Sequence, residues 1–226
     1  MTQNDEKRLV ARRAAGLVQN GMAVGIGTGS TSHMFIEELA ARAKAESLSI
    51  RCVASSNASH EFGAQLGLDV TTLAELPELD IYIDGADEVG PGLALIKGGG
   101  GALLREKIVA SSARRFVVIV DSSKVVDHLG KFPLPVEVIK MALPLVERQL
   151  AALGIHPSQR HHPDGSVYLT DENNYILDCH CEVISNPAEL AARIRSIVGV
   201  VEHGLFLHMA SLALIATPEG VRELQP

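Results

Sequence analysis

The stretch "MAVGIGTGSTSHMFIEELAARAKA", residues 22–45, decides the fold. A short apolar run enters glycines and then a segment rich in helix-forming residues, which predicts a strand, a tight turn and a helix. The same order recurs downstream, with predicted strands at 49–55, 79–85 and 115–123 separated by predicted helices. Aliphatic strands that alternate with helices indicate a parallel sheet covered on both faces. We therefore expect an α/β fold with a Rossmann-like parallel sheet and helices on both faces.

The pattern changes at "GKFPLPVEVIK", residues 130–140, where a glycine and two prolines mark a boundary. The predicted elements that follow are a strand, a helix, two strands around "HHPDGSVYLTDENNYILDCHC", a helix and a strand. This β-α-β-β-α-β order is the ferredoxin-like arrangement. We predict an inserted ferredoxin-like α+β domain at 132–206 and a catalytic domain formed by 1–131 with 207–226, in which "SLALIATPEG" returns to the main sheet.

Composition excludes several classes of protein. The net charge of −7 and the absence of a basic cluster argue against nucleic acid as a partner. The sequence has no apolar run of about 20 residues, so no membrane span is expected. The charged N-terminus resembles an amphipathic helix and not a signal peptide. Three cysteines form no disulfide pattern, and we expect a cytoplasmic protein.

The turn "GIGTGSTS", residues 25–32, is a candidate phosphate site. Its glycines let backbone N–H groups approach an anion, and the helix that follows adds its dipole. Thr28, Ser30 and Thr31 add hydroxyl donors. The alternative is an ordinary turn with a Ser or Thr N-cap. The spacing fits neither a dinucleotide fingerprint nor a P-loop.

The segment "DGADE", which starts at Asp84, places the carboxylates of Asp84, Asp87 and Glu88 within five residues. Such crowding is repulsive unless cations, hydroxyls or protons compensate it. A polar turn and a magnesium site are both open alternatives. A second metal hypothesis, based on Cys179, Cys181 and nearby histidines, is less favoured because Cys-x-Cys is not the usual zinc spacing.

The segment "KGGGGALLREK", residues 97–107, joins a lysine, four glycines and a predicted helix. Glycines permit close backbone approach, and Lys97 supplies a positive charge. Glu106 has only apolar helical neighbours, which are Ala102, Leu103, Val109 and Ala110. Burial there would raise its pKa, which suits a base that abstracts a proton. The alternative is a helix residue at the edge of a packed face.

Five motifs occur in one order: "GIGTGSTS", "DGADEV", "KGGGGALLREK", "DSSK" and "GKFPLPVEV". Together they resemble the ribose-5-phosphate isomerase A family over essentially the whole chain. By itself "DSSK" would leave Lys124 either an anion ligand or a surface lysine. The resemblance implies interconversion of D-ribose 5-phosphate and D-ribulose 5-phosphate through an enediolate, in the non-oxidative pentose phosphate pathway. It also implies no metal or cofactor, and a cytoplasmic homodimer or homotetramer.

The resemblance further implies roles for individual residues. Glu106 would be the base, and Lys97 with the glycine loop would stabilise the enediolate oxygen. Asp84 and Asp87 would bind sugar hydroxyls, with Asp84 shuttling a proton during ring opening. Lys124 and the turn after the first strand would hold the phosphate. The implied substrate-binding residues are Lys7, Thr28, Gly29, Ser30, Thr31, Asp84, Gly85, Ala86, Asp87, Lys97, Gly98, Gly99, Gly100 and Lys124.

Two other functions are compatible with parts of the sequence. A sugar-phosphate sensor of the kind found in transcription regulators would bind without turnover, but it carries a DNA-binding domain for which there is no room before "MAVGIG". A magnesium-dependent phosphatase would use Asp84 and Asp87.

Assembly is suggested by the ferredoxin-like layer, whose helices cover only one face of its sheet. The predicted strands "SVYLT" and "NYILDCHC" place Val167, Leu169, Ile176 and Cys179 on their faces. Whatever the helices leave open needs cover from the main domain or from a neighbouring subunit. The resemblance favours a subunit contact, most simply an isologous dimer.

Overall fold

The computed structural model describes residues 2–226. Its strands, in chain order, are β1 Ala23–Ile26, β2 Arg51–Ala54, β3 Asp69–Thr71, β4 Ile81–Asp84, β5 Glu88–Val89, β6 Leu95–Ile96, β7 Phe116–Asp121, β8 Leu134–Val138, β9 His156–Gln159, β10 Tyr175–His180, β11 Val200–His203, β12 Leu205–Phe206, β13 Leu212–Thr217 and β14 Gly220–Leu224. Its α-helices are α1 Gln3–Ala15, α2 Ser30–Glu46, α3 Asn57–Gln65, α4 Leu103–Ser111, α5 Leu143–Ala152 and α6 Pro187–Arg195.

The main sheet has seven strands in the order β14-β13-β7-β4-β1-β2-β3. All neighbours pair in parallel except β14, which runs antiparallel at one edge. Alternate residues of β7 face opposite sides: Val117 packs under α1 and α2, while Val118 packs on the side of α4. Such a strand is buried on both faces and so reads as a continuous apolar run. The predicted parallel sheet with helices on both faces is confirmed.

The inserted layer has a four-stranded antiparallel sheet in the order β11-β8-β10-β9, with α5 and α6 packed on it. The chain order β-α-β-β-α-β with this strand order is ferredoxin-like, as predicted. All four strands and both helices fall within residues 132–206. The domain boundaries themselves stay a prediction.

One predicted strand in this layer is wrong. The segment "SVYLT" does not pair with β10; the partners of β10 are β8 and β9, both of which precede that segment in the chain. The Asp-Gly turn explains the difference, because the side chain of Asp164 accepts from the backbone N–H of Ser166 at 2.9 Å and closes a tight turn. Residues 160–168 therefore form a short hairpin of their own, in which the N–H of Tyr168 donates to the carbonyl of Arg160 at 3.0 Å.

A small third sheet, β12-β6-β5, connects the two layers. The predicted single strand "VVEHGLF" divides at Gly204, where a Cβ atom would lie 2.3 Å from the carbonyl oxygen of Lys97. Glu88, the third carboxylate of "DGADE", has a structural role here. It is buried and accepts from the N–H groups of Gly130 at 2.7 Å and Phe132 at 2.6 Å.

The second face of the inserted sheet is partly covered within the chain, since α4 packs against β8 and β11. Ile176 and Cys179 are buried, whereas Val167 and Leu169 are partly exposed on the hairpin side. No helix in the described part of the chain is long and apolar enough to cross a bilayer.

Candidate active site

A pocket opens at the carboxyl ends of β1 and β4, between α1, the start of α2 and the loop before α4. Every predicted site residue except Asp84 lines it, and sequence analysis missed two of its members, Gln3 and Ser32. Its lining consists of Gln3, Lys7, Thr28, Gly29, Ser30, Thr31, Ser32, Gly85, Ala86, Asp87, Lys97, Gly98, Gly99, Gly100, Glu106 and Lys124.

One end of the pocket is suited to an anion. Helix α2 starts there with Gly29 as its N-cap, at φ +105°, and no side chain caps it. The free N–H groups of its first turn and the helix dipole favour negative charge. Lys7 donates to the hydroxyl of Ser30 at 3.0 Å, and Lys124 lines the same pocket from the turn after β7. The Ser or Thr N-cap considered from sequence is therefore not how this helix begins.

Thr28 has a different arrangement from the one implied by the resemblance. Its hydroxyl points into a serine cluster, 2.8 Å from Ser55 and 2.9 Å from Ser56. Its backbone N–H donates to Asp84 at 2.9 Å. Thr28 thus shapes the turn and lines the pocket while its hydroxyl is already engaged.

Asp84 lies directly behind the pocket and is fully buried. A carboxylate offers about four lone-pair positions, and Asp84 accepts from five donors: Thr28 N at 2.9 Å, Ser32 Oγ at 2.7 Å, Gly85 N at 2.7 Å, Tyr82 Oη at 2.5 Å and Lys97 Nζ at 2.7 Å. No lone pair remains for a sugar hydroxyl. The geometry supports a role for Asp84 as a counter-ion that orients Lys97. It supports this role more than the sugar contact and the proton shuttle that the resemblance implies for Asp84.

Lys97 is buried at the floor of the pocket. Its ammonium donates to Asp84 and to the carbonyl of Gly85 at 2.5 Å, and it lies 3.4 Å from Glu106 Oε2. The ring of Phe206 lies beneath it, with its centroid 5.5 Å away. Burial acts to lower the pKa of Lys97, but the charges of Asp84 and Glu106 outweigh it and raise that pKa. Lys97 therefore stays an ammonium in this site.

Glu106 lies on α4 as predicted and is 3% exposed. Burial raises the pKa of its carboxyl to about 8, with the Lys97 charge opposing and the charges of Asp84 and Asp87 adding to the rise. Within residues 2–226, its Oε2 accepts no hydrogen bond. A buried carboxylate with a free lone pair and a raised pKa has the properties of a general base.

The four glycines of the loop before α4 differ in how much space a side chain would have. A Cβ at Gly98 would lie 2.8 Å from Leu103, one at Gly99 would lie 2.6 Å from Asp87, and one at Gly101 would lie 2.0 Å from the hydroxyl of Tyr168. At Gly100 the nearest atom would be 3.7 Å away. Close approach of a sugar, expected for the whole run, thus suits Gly100 best.

Asp87 faces the pocket next to this loop. One of its oxygens accepts from the N–H of Gly99 at 2.7 Å, and the other accepts no hydrogen bond from residues 2–226. Burial raises the pKa of its carboxyl, partly offset by the Gly99 hydrogen bond and by Lys97. Asp87 therefore offers a free acceptor to a ligand hydroxyl, in contrast to Asp84.

Tyr82 is a member of the site that sequence analysis missed. It is fully buried on β4, and its hydroxyl donates to Asp84. A buried phenol almost always has a hydrogen-bond partner. The tyrosine inside the apolar run "IYI", two residues before Asp84, was the available signal.

The metal hypotheses find no support in side-chain geometry. Across residues 2–226, no group of three or more His, Cys, Asp and Glu side chains is arranged to hold an ion. Asp84 and Asp87 serve different partners, and Cys179 is part of the apolar core of the inserted layer.

A pocket end suited to an anion, beside a buried carboxylate and a fixed ammonium, is suited to moving a proton on carbon in a small phosphorylated molecule. Sugar-phosphate isomerases are a class of enzymes that carry out this chemistry.

Comparisons with known proteins give the particular family. A family model described as Ribose 5-phosphate isomerase A (phosphoriboisomerase A) matches residues 51–220. Ribose-5-phosphate isomerase A of Roseiflexus castenholzii is 52% identical over 97% of this chain and 94% of its own length. The structure of ribose 5-phosphate isomerase A from Methanocaldococcus jannaschii is 41% identical, with a TM-score of 0.96 over 100% of both chains. A D-ribose-5-phosphate isomerase in complex with phospho-erythronic acid is 33% identical, with a TM-score of 0.97 over 100% of both chains. The chain belongs to the ribose 5-phosphate isomerase A family.

The raised pKa of Glu106 predicts a pH-dependent cost to stability. Burial makes ionisation of Glu106 less favourable in the folded protein than in the unfolded chain, where the pKa is 4.5, so its contribution to stability falls as pH rises from about 4.5 toward about 8. Glu106→Gln removes the ionisation, so the variant should be more stable than the wild type by more than about 1 kcal/mol at about pH 9. The two proteins should unfold alike below pH 4.5.

Urea unfolding at both pH values measures this difference. The exposed Glu61 provides a control, since Glu61→Gln should show no pH-dependent difference from the wild type. Equal stability of Glu106→Gln and wild type at high pH would mean that the Glu106 carboxylate is not destabilised by burial.

Proposed function

We propose that this chain interconverts D-ribose 5-phosphate and D-ribulose 5-phosphate, with Glu106 as the single base that moves a proton between C2 and C1. The observation that carries the proposal is the buried pair of Glu106 and Lys97, 3.4 Å apart, at the floor of an anion-binding pocket. Family membership supports the substrate, since the relatives named above are ribose 5-phosphate isomerases.

The 5-phosphate binds at the start of α2. The unsatisfied N–H groups after Gly29 point at it, and Lys7 and Lys124 contribute positive charge. The hydroxyls of Ser30 and Thr31 lie in the same first turn of the helix. A charge-assisted cluster of this kind fixes the far end of the sugar, so that C1 and C2 lie over the glycine loop.

Glu106 removes the proton from C2 of the open-chain aldose, and the electron pair forms the C1–C2 double bond of an enediolate. Lys97 lies where negative charge develops on oxygen, and it is already oriented by Asp84. The proton returns from Glu106 to C1, while the proton of the C2 hydroxyl passes to the C1 oxygen. The result is the ketose, and the enzyme regains its starting state.

Asp87 binds a sugar hydroxyl through its free oxygen. The same pocket disfavours the alternatives from sequence. A phosphatase that used Asp84 for a magnesium ion would lack a free lone pair on that carboxylate. A sensor that only binds would have no use for a buried carboxylate with a raised pKa.

We further propose that the chain works in the cytoplasm as a homodimer or a larger assembly. A patch formed by Ile139, Met141 and Val198 supports the assembly, because these side chains are 50%, 94% and 77% exposed. The backbone N–H of Ile139 donates to the carbonyl of Gly199 at 2.9 Å, which brings the two segments together. Contiguous exposed apolar surface of this kind is typical of subunit contacts.

Glu106→Gln keeps the shape of the side chain but removes the proton acceptor. We expect kcat to fall at least about 10³-fold with KM nearly unchanged, because a general base acts only on the chemical step. A coupled assay with ribose 5-phosphate in excess EDTA measures this, and Glu61→Gln is the control. If the variant keeps a tenth of the activity, Glu106 is not the base; if EDTA abolishes wild-type activity and magnesium restores it, the metal-free mechanism fails.

Lys124→Ala should raise KM for ribose 5-phosphate roughly ten- to a hundredfold with a smaller effect on kcat, since a charge-assisted contact contributes about 1.5–3 kcal/mol. Activity with unphosphorylated ribose should not respond to the substitution. The exposed Lys131 provides a matched control through Lys131→Ala. An unchanged KM would place the phosphate elsewhere.

Met141→Asp places a charge in the exposed apolar patch. The wild type should elute at twice the monomer mass or more in size-exclusion chromatography, and the variant should shift toward monomer at low concentration while its active site is untouched. Leu66→Asp, at another partly exposed apolar position, should leave assembly unchanged. A wild type that is monomeric at micromolar concentration would overturn the assembly proposal alone.

A further inference from the structure

We propose that Arg160 and Tyr168, on the hairpin of the inserted layer, are positioning residues that orient the peptide groups of the Gly98–Gly101 loop toward the substrate. The inference rests on the proposed function for its catalytic consequence. It assigns the ferredoxin-like layer a part in the reaction, although Arg160 and Tyr168 do not line the pocket.

Three consecutive carbonyl groups of the loop accept from these two side chains. Nη1 of Arg160 donates to the carbonyls of Gly98 at 2.9 Å and Gly99 at 3.2 Å. The hydroxyl of Tyr168 donates to the carbonyl of Gly100 at 3.2 Å. The loop therefore turns this row of carbonyls toward the inserted layer.

The orientation of the carbonyls dictates that of the N–H groups. In a planar trans peptide the N–H of a residue points opposite to the carbonyl of the residue before it. The N–H groups of Gly99, Gly100 and Gly101 thus point away from the inserted layer. The first donates to Asp87 and the third closes a turn on the carbonyl of Gly98 at 2.9 Å.

The N–H of Gly100 is left as the available donor of these three. It donates to no acceptor within residues 2–226, and Gly100 is both exposed and a member of the pocket lining. It is also the loop position where a Cβ would meet the least obstruction. A backbone donor held in this way suits an oxygen that gains charge during the reaction.

The hairpin is built to hold the two side chains rigidly. Nε of Arg160 donates to Asp178 at 2.8 Å, and Nη2 pairs with the other oxygen of the same carboxylate. The backbone N–H of Arg160 donates to Ile176 at 2.9 Å, and that of Tyr168 donates to Arg160. The guanidinium lies 5.7 Å from the centre of the Tyr168 ring. A bidentate arginine of this kind keeps a defined direction.

A run of glycines needs such an external restraint. Glycine has the largest backbone freedom of any residue, and four in succession have no side chains to limit it. Gly99 and Gly100 are exposed, so water would satisfy their carbonyls equally well. The hydrogen bonds from Arg160 and Tyr168 therefore matter mainly because they fix the orientation of the loop carbonyl groups. Supplying these carbonyls with a hydrogen-bond donor is the smaller contribution.

The test compares Arg160→Met with Asp178→Asn. The first variant removes the donors to the loop and the ion pair, whereas the second weakens the ion pair and leaves Arg160 able to reach the loop carbonyls. Hydrogen exchange in a peptide covering residues 97–103 and steady-state kinetics are measured for both. We expect Arg160→Met to speed exchange in this loop and to lower kcat about tenfold, less than the 10²-fold or more seen when an oxyanion donor is deleted outright.

KM for ribose 5-phosphate should change little in Arg160→Met, because the phosphate contacts are intact. Asp178→Asn loosens Arg160 without removing its donors to the loop, so it should show smaller changes than Arg160→Met in both measurements. Tyr168→Phe, which loses only one donor, should lie between the wild type and Arg160→Met. Equal losses in Arg160→Met and Asp178→Asn, or faster exchange without a loss of kcat, would overturn the positioning role. A wild type without isomerase activity would refute the proposed function instead, and the exchange measurement would still report on the loop.

Discussion

The site depends on one buried ammonium. Lys97 lies within contact distance of both Asp84 and Glu106, and all three side chains are removed from water. Burying a charge is costly unless partners and hydrogen bonds compensate it. The compensation here comes from Asp84, from the carbonyl of Gly85 and from the aromatic face of Phe206. Because these partners belong to β4, the turn after it and β12, the position of Lys97 requires the main sheet and the small third sheet together.

The parallel sheet explains why the groups around Lys97 lie close together. β1 and β4 are neighbours, so their carboxyl ends bring the turn after β1, the proposed phosphate site, next to Asp84. At Gly27 a Cβ would lie 1.9 Å from the carboxylate of Asp84, so the glycine lets these two strand ends close together. The third sheet then brings Lys97 back over β4, since the backbone N–H of Lys97 donates to the carbonyl of Gly204 at 2.9 Å.

Sequence patterns were sufficient for the parallel sheet and the inserted β-α-β-β-α-β layer, because both follow from the periodicity of apolar residues. Residues at strand ends indicated the region of the pocket, and the resemblance to a known family supplied most of its individual lining residues. Sequence patterns were not sufficient for contacts between distant segments. The segment "SVYLT", residues 166–170, was predicted as a strand of the inserted sheet, but a local turn at Asp164 places residues 160–168 in a short hairpin instead. Asp84, Asp87 and Glu88 look alike in "DGADE", yet their partners, which sequence does not reveal, separate them into a counter-ion, a ligand acceptor and a structural link.

The same lysine contacts two carboxylates, and their surroundings decide which one can accept a proton. Asp84 receives hydrogen bonds from two backbone N–H groups, two hydroxyls and the ammonium, so its lone pairs are occupied. Glu106 has apolar helix neighbours and keeps Oε2 free of hydrogen bonds from the described residues, with the ammonium at 3.4 Å. Two carboxylates whose environments differ in this way take different roles in acid–base chemistry. On its apolar stripe of α4, Glu106 is close enough to Lys97 to interact with its positive charge. Because the stripe supplies no hydrogen-bond donors, a lone pair of Glu106 is left for the substrate, which a polar helix position would prevent.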